Sequence, residues 1–216
     1  MNNDLSSYYH QRANEYDKVY AIPAEQQDLA AATKILQPLF ADKTVLEIAC
    51  GTGYWTKVLA VVASSILATD INASVIAIAQ AKNNAPNIQF HVADMYQLQT
   101  GTKYEALFGG FIWSHILLQQ LDVFLQIITR LILPGGTIAF IDSKQVAGGV
   151  HDDSSIAVTD DNGNTYQKRK LEDGTEHTVL KNFPSKEILQ QKLSAFCSAI
   201  TYTDLEHYWI VTGKLK

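Results

Sequence analysis

Val45-Leu46-Glu47-Ile48-Ala49-Cys50-Gly51-Thr52-Gly53 is the stretch whose reading decides the fold. Its apolar residues suit a strand buried on both faces of a parallel sheet. The run ends in an acid and then breaks into glycines, and Gly51 and Gly53 permit positive φ and a close approach of ligand to backbone. Tyr54 to Leu59 can then open a helix whose free N–H groups face the same spot. Strand, glycine loop and helix start together predict a nucleotide-type site.

Outward from this turn, the chain alternates strand and helix. Residues 24–40 set Leu29, Ala32, Thr33, Leu36 and Phe40 near one helical face, and 44–49 form the first strand. A helix is expected over 54–62, a strand over 65–70, a helix over 72–83, and strands over 88–93 and 104–110. Residues 119–132 carry a helical period, Pro134-Gly135-Gly136 reads as a turn, and 137–142 as a fifth strand. Such βα units imply a doubly wound, mostly parallel sheet with right-handed crossovers. Residues 144–163 have no clear period. The segments 165–171 and 177–181 flank Glu172-Asp173-Gly174, a hairpin signal. Ser185 caps a helix over 185–196, and 199–204 and 208–213 close the sheet as an antiparallel pair. The expected architecture is one α/β domain over 1–216: an N-terminal lid (1–23), a seven-stranded core (24–143 and 183–216) with an antiparallel last strand, and a β-hairpin insertion (144–182).

Composition bounds the function. At 216 residues and 47% hydrophobic, the chain can bury one core. A net charge of -5 argues against a broad phosphate-binding face, so no nucleic-acid partner is expected. The opening MNNDLSSYYHQR lacks the apolar core of a signal peptide, and no apolar run approaches the roughly 18 residues of a membrane span. A cytoplasmic protein without membrane attachment is expected. Cys50 and Cys197 are too few and too far apart for a disulfide framework or a cysteine-based metal site.

The order of elements, with Glu47-Ile48-Ala49-Cys50-Gly51-Thr52-Gly53, resembles the Rossmann-like (class I) S-adenosylmethionine-dependent methyltransferases of small molecules, strongly over residues 40–143 and more loosely over 183–214. Ala49 stands where that family's motif has its first glycine. Glu47, Asp70 and Asp94 end successive strands at the carboxyl edge, where such sheets bind ligands. The resemblance implies that Asp70 accepts from the ribose hydroxyls, Asp94 faces the adenine amino group, and Glu47 orients the loop or reaches the methionine amino group through water. Ala49, Cys50, Gly51, Thr52, Gly53, Ile71, Met95, Gly110 and Phe111 complete the implied cofactor-binding set. A dinucleotide fold would want a third glycine, whereas Tyr54-Trp55-Thr56 follow, which disfavours a nicotinamide-dependent oxidoreductase. A noncatalytic cofactor-binding or oligomerisation module remains open, since it would share every cofactor residue.

Gly109-Gly110-Phe111-Ile112-Trp113-Ser114-His115 ends the fourth strand, where the family places its chemistry. Neither the pattern of adenine or amide methylases nor a Pro-Cys nucleophile is present. His115 is the candidate catalytic base, because an unperturbed imidazole is near half neutral around pH 7; the alternative is a helix-start histidine packed under Trp113 or hydrogen-bonded to backbone. Tyr8, Tyr9, Arg12 and Tyr16 recur at helical spacing in a segment resembling the family's lid helix. That resemblance implies that Arg12 holds the methionyl carboxylate while the tyrosines, Tyr9 among the catalytic candidates, close over methyl and acceptor. The bland alternative is an amphipathic helix with Arg12 paired to Glu15 or Asp17. No metal is needed, and Asp152-Asp153 sit in an unplaced loop. The insertion is a candidate second wall of the acceptor pocket, or, through its basic strand, a homodimer surface.

Overall fold

The computed structural model describes residues 3–13, 15–146 and 156–216, with Asn3 and Asp4 known by backbone alone. The Asp152-Asp153 pair weighed above lies outside the described residues. In chain order the elements are α1 (Asn3–Arg12), α2 (Gln26–Phe40), β1 (Thr44–Ile48), α3 (Tyr54–Ala60), β2 (Ser65–Asp70), α4 (Ala73–Lys82), β3 (Ile88–Val92), β4 (Tyr104–Gly110), α5 (Leu121–Thr129), β5 (Ile132–Ser143), β6 (Ile156–Thr159), β7 (Thr165–Lys170), β8 (Glu176–Leu180), α6 (Lys186–Ser194), β9 (Cys197–Asp204) and β10 (Tyr208–Leu215).

Seven strands form one sheet in the order β3-β2-β1-β4-β5-β10-β9. The first five run parallel, and β10 pairs antiparallel with both β5 and β9. Strand order reverses between β1 and β4, which opens a crevice at their carboxyl ends. β1 shows why the sheet is covered on both faces. Leu46 and Ile48 enter one apolar cluster with Phe124, Phe140 and Trp209, while Val45 enters the other with Leu36, Phe40 and Trp55. A third, smaller cluster of Leu5, Tyr8, Leu171 and Val179 lies apart from the main core and joins α1 to the insertion.

Four local expectations are corrected. Pro134-Gly135-Gly136 is no turn between elements but an irregularity within β5, where Tyr104 pairs with Ile132 and Ala106 with Thr137. Gly135 takes φ 76° there, which lets the strand resume without leaving the sheet. The aperiodic stretch after Ser143 contains β6, so the insertion is a three-stranded sheet, β6-β7-β8, rather than a hairpin alone. All four β6 residues are exposed, and a strand with no buried face shows no alternation. The lid is not one continuous helical face. α1 stops at Arg12, and Tyr16 begins a separate 3₁₀ turn, Tyr16–Ala21. Finally, His115 ends a single 3₁₀ turn, Trp113–His115, instead of starting a helix.

Candidate active site

Two adjoining cavities lie at the carboxyl edge of the sheet. The inner cleft, about 680 Å³, is lined by the loop residues Ala49 and Gly51, by Asp70, Ile71 and Asn72 after β2, by Ala93 and Met95 after β3, and by Gly110 and Phe111 after β4. The outer chamber, about 950 Å³, is lined by Tyr8, Arg12 and Val19 of the lid, by Ser143 and Lys144 after β5, by Arg169, Val179 and Lys181 of the insertion, and by Tyr208. Tyr9, Tyr16, Phe111 and His115 line both cavities and form the boundary between them.

The glycine loop is held by its own chain. Asp70 accepts from the Gly51 N–H at 3.0 Å and from the Asn72 N–H at 2.9 Å, so β2 and the loop form one unit. Burial raises the Asp70 carboxyl, and these amides oppose the rise. Ala49 takes φ 51° and Gly51 φ 53°. The family's glycine is thus replaced by a residue that adopts the left-handed backbone at a cost of roughly 1 kcal/mol. A Cβ added at Gly51 would make ordinary contact with the lid, the nearest atom being Tyr16 Cε1 at 3.8 Å. Gly53 has a different reason to be glycine. At φ 82°, its Cβ would meet Asn83 Nδ2 at 2.6 Å and Ala79 Cβ at 3.1 Å.

The other motif residues sit further from the cleft. Cys50 is buried, and burial raises its thiol well above the usual range. The Thr52 hydroxyl donates to Asp17 at 2.5 Å, and Asp17 also pairs with Lys82, so the loop's back anchors the lid. Glu47 is 1% exposed, and its Oε2 has no hydrogen-bond partner among the described residues. Burial, with the charge of Asp70 adding and the Thr56 hydroxyl opposing, pushes its carboxyl up to about 8. Asp94 accepts from the Tyr96 N–H at 2.9 Å and from Gln97 Nε2 at 3.4 Å, while its neighbours Ala93 and Met95 line the cleft. The two glycines of β4 answer first to packing. A Cβ on Gly109 would meet Phe140 at 2.8 Å, and one on Gly110 would meet Trp55 at 2.9 Å.

The boundary residues correct the reading of His115. Its Nδ1 lies 2.5 Å from the Leu180 carbonyl, and its Nε2 lies 2.7 Å from the Tyr9 hydroxyl. The carbonyl can only accept, so Nδ1 carries the proton and Nε2 accepts from Tyr9. Burial, reinforced by the charge of Lys181, lowers the imidazolium to about 3. The expected half-neutral imidazole is therefore wholly neutral at pH 7, its free lone pair already engaged by Tyr9. Burial also raises the Tyr9 hydroxyl well above its usual range. At this boundary the pair is a fixed hydrogen-bonded unit rather than a poised proton acceptor.

Arg12 has no acidic partner among the described residues. Its guanidinium lies 5.7 Å from the Tyr8 ring centroid and 5.5 Å from that of Tyr16, and it lines the outer chamber rather than the cleft. The residues that sequence reading missed are mostly in that chamber. Lys181 is bound to Asp142 at 2.9 Å and to the Ser114 hydroxyl at 2.8 Å, and Asp142 also accepts from the Ser114 N–H. This buried network pins the insertion to the end of β5. Arg169 was legible only as part of the basic triplet Lys168-Arg169-Lys170. Strand alternation leaves Lys168 and Lys170 exposed and turns Arg169 toward the chamber.

A doubly wound sheet with a glycine loop and a cleft at its switch point defines a Rossmann-like nucleotide-type binding protein. Residues 45–136 match the family model described as a methyltransferase domain. A malonyl-[acyl-carrier protein] O-methyltransferase of Bacillus cereus is 38% identical over 81 residues, which are 36% of this chain and 30% of that relative. The match thus spans less than a third of the relative's length. Among solved structures, a DhpI–SAM–HEP complex superposes with TM-score 0.81 at 25% identity, covering 98% of each chain. A DhpI–SAH complex gives TM-score 0.80 at 26% identity, over 98% of this chain and 95% of that one. The methyltransferase NodS of Bradyrhizobium japonicum, at TM-score 0.69 and 14% identity over 99% of both chains, shares the fold. The match over residues 45–136, with the whole-chain superposition on proteins solved with SAM and SAH, supports a class I S-adenosylmethionine-dependent methyltransferase with S-adenosylmethionine as its cofactor.

Proposed function

We propose that this protein transfers a methyl group from S-adenosylmethionine to an oxygen or nitrogen nucleophile of a small molecule, with the donor in the inner cleft and the acceptor in the outer chamber. One observation carries the reading: Tyr9, Tyr16, Phe111 and His115 line both cavities, so the two ligands would meet across a single aromatic boundary. The cleft also suits the donor. It combines bare backbone at Gly51 with a carboxylate, Asp70, whose two oxygens each keep capacity to accept from ribose hydroxyls beyond the amides they already hold. Ile71 and Met95 offer apolar walls to a base, and Asp94 borders that end.

When bound, S-adenosylmethionine supplies a methyl already activated by its sulfonium, so transfer by direct displacement asks the protein for alignment and dryness. The chain's own residues serve that need. His115 holds Tyr9 Oη in place, and Tyr9 packs edge-on against Tyr16 at 5.7 Å between ring centroids. Phe111, with φ 56°, presents its ring at the same boundary. Calorimetric titration should show tight binding of S-adenosylmethionine and none of NAD, and a coupled S-adenosylhomocysteine assay across small acceptors should reveal turnover. Binding of NAD without S-adenosylmethionine would overturn the reading. Tyr9→Phe should lower kcat with little change in cofactor affinity, because it frees the boundary ring from His115; equal kcat would remove Tyr9 from the reaction.

A further inference from the structure

The lining of the outer chamber gathers four cationic side chains, Arg12, Lys144, Arg169 and Lys181. Lys181 is balanced by Asp142 and Lys144 by Asp204, at 2.9 and 2.7 Å. His207 lies against Asp28 at 3.3 Å. Glu25, the carboxylate in the lining, is bonded to the Tyr208 hydroxyl. Two guanidiniums remain, Arg12 and Arg169, and neither makes an ion pair among the described residues.

Arg169 is also aimed and braced. It is half-buried on β7, and its Nη2 donates to Gln167 Oε1 at 2.6 Å, which fixes the plane of the fork. Arg12 and Arg169 line the same chamber as the boundary residues Tyr9 and His115. A half-buried guanidinium held by a neutral amide keeps donors for a planar, bidentate anion.

We infer that the methyl acceptor is a small anion whose carboxylate or phosphoryl oxygens are gripped by Arg169, and that one of those oxygens is the nucleophile. The inference rests on the methyl-transfer reading above. The balance of the step agrees with the boundary residues. An oxyanion lone pair forms the new carbon–oxygen bond as the carbon–sulfur bond breaks, and that electron pair stays on sulfur, leaving a neutral thioether and a methyl ester. No proton moves, so no base of near-neutral pKa is required. The neutral, fully engaged His115 is what such a reaction needs at its side.

The test uses the full chain saturated with S-adenosylhomocysteine, titrated by calorimetry with inorganic phosphate, with succinate, and with glycerol as neutral control. At least one anion should bind and glycerol should not. Arg169→Gln should weaken the bound anion by about tenfold or more, the measure of a charge-assisted hydrogen bond. Arg169→Lys should fall between, since it keeps the charge and loses the fork. S-adenosylhomocysteine affinity should stay within about twofold in both variants, because Arg169 lines the outer chamber only; this shows that the variants fold and that the cleft is intact. Binding of phosphate alone assigns a phosphoryl acceptor, and of succinate alone a carboxylate. Binding of neither anion, or equal binding by Arg169→Gln, overturns the inference while leaving the methyl-transfer reading standing. Failure of S-adenosylhomocysteine itself to bind would instead strike that reading.

Discussion

The inner cleft and the outer chamber are built on opposite plans. The cleft comes from consecutive strand ends, β1 to β4, each contributing a few residues at one edge of a rigid sheet. The chamber gathers side chains from the lid, the end of β5, the insertion and β10, held by polar links such as Lys181–Asp142 and Lys18–Glu172. The family model covers 45–136, which takes in the cleft and leaves nearly all of the chamber outside. The difference teaches that the cleft is a property of the fold, whereas the chamber is a property of this chain's additions to it.

Substitutions that act on one compartment and spare the other sharpen this comparison. The largest effect is expected from Gly53→Val. The new side chain meets Asn83 and Ala79 at a left-handed φ, at a cost of about 3 kcal/mol in stability with loss of cofactor binding; thermal denaturation and titration measure both. Asp70→Ala should weaken S-adenosylmethionine by about 2 kcal/mol, roughly thirtyfold in Kd, while leaving kcat at saturation nearly unchanged. A fall in kcat as large as the fall in affinity would break the division between compartments.

His115 tests the boundary through pH. Its folded pKa, about 3, lies below the unfolded value of about 6.5. The unfolded chain therefore binds the proton first as pH falls, and stability is complete above about pH 6.5 and is lost from there toward pH 3. At pH 5 the loss should be on the order of 1 to 2 kcal/mol by urea denaturation, and His115→Gln should flatten that part of the profile. An unchanged slope would mean that the imidazole is not held neutral. The smallest effect is Ala49→Gly. Relief of the positive φ should raise stability by up to about 1 kcal/mol, offset in part by the flexibility of glycine.

Sequence legibility divides along the same line. β2 and β4 were read to the residue, because buried parallel strands are continuous apolar runs closed by turn residues. Asp70, at the end of β2, was legible from its strand-end position and lines the cleft, whereas Glu47 and Asp94, read by the same rule, do not line it. Arg169, Lys144 and Lys181 were not legible, since their neighbours across the chamber are distant in sequence and no local period marks the meeting. β6 was invisible because it buries no face. The surroundings of His115 were not legible, since its burial and its contact with Leu180 depend on β8 arriving 65 residues later.

The cluster of Leu5, Tyr8, Leu171 and Val179 has a consequence for exchange between relatives. It binds the first helix to the insertion through apolar surface that neither can cover alone, so the two segments behave as one transferable unit despite lying at opposite ends of the chain. A chimera that swaps the insertion while keeping the native first helix would expose Tyr8 and leave a mismatched seam above the site. Reshaping the outer chamber by grafting thus means moving both pieces together onto an unchanged sheet.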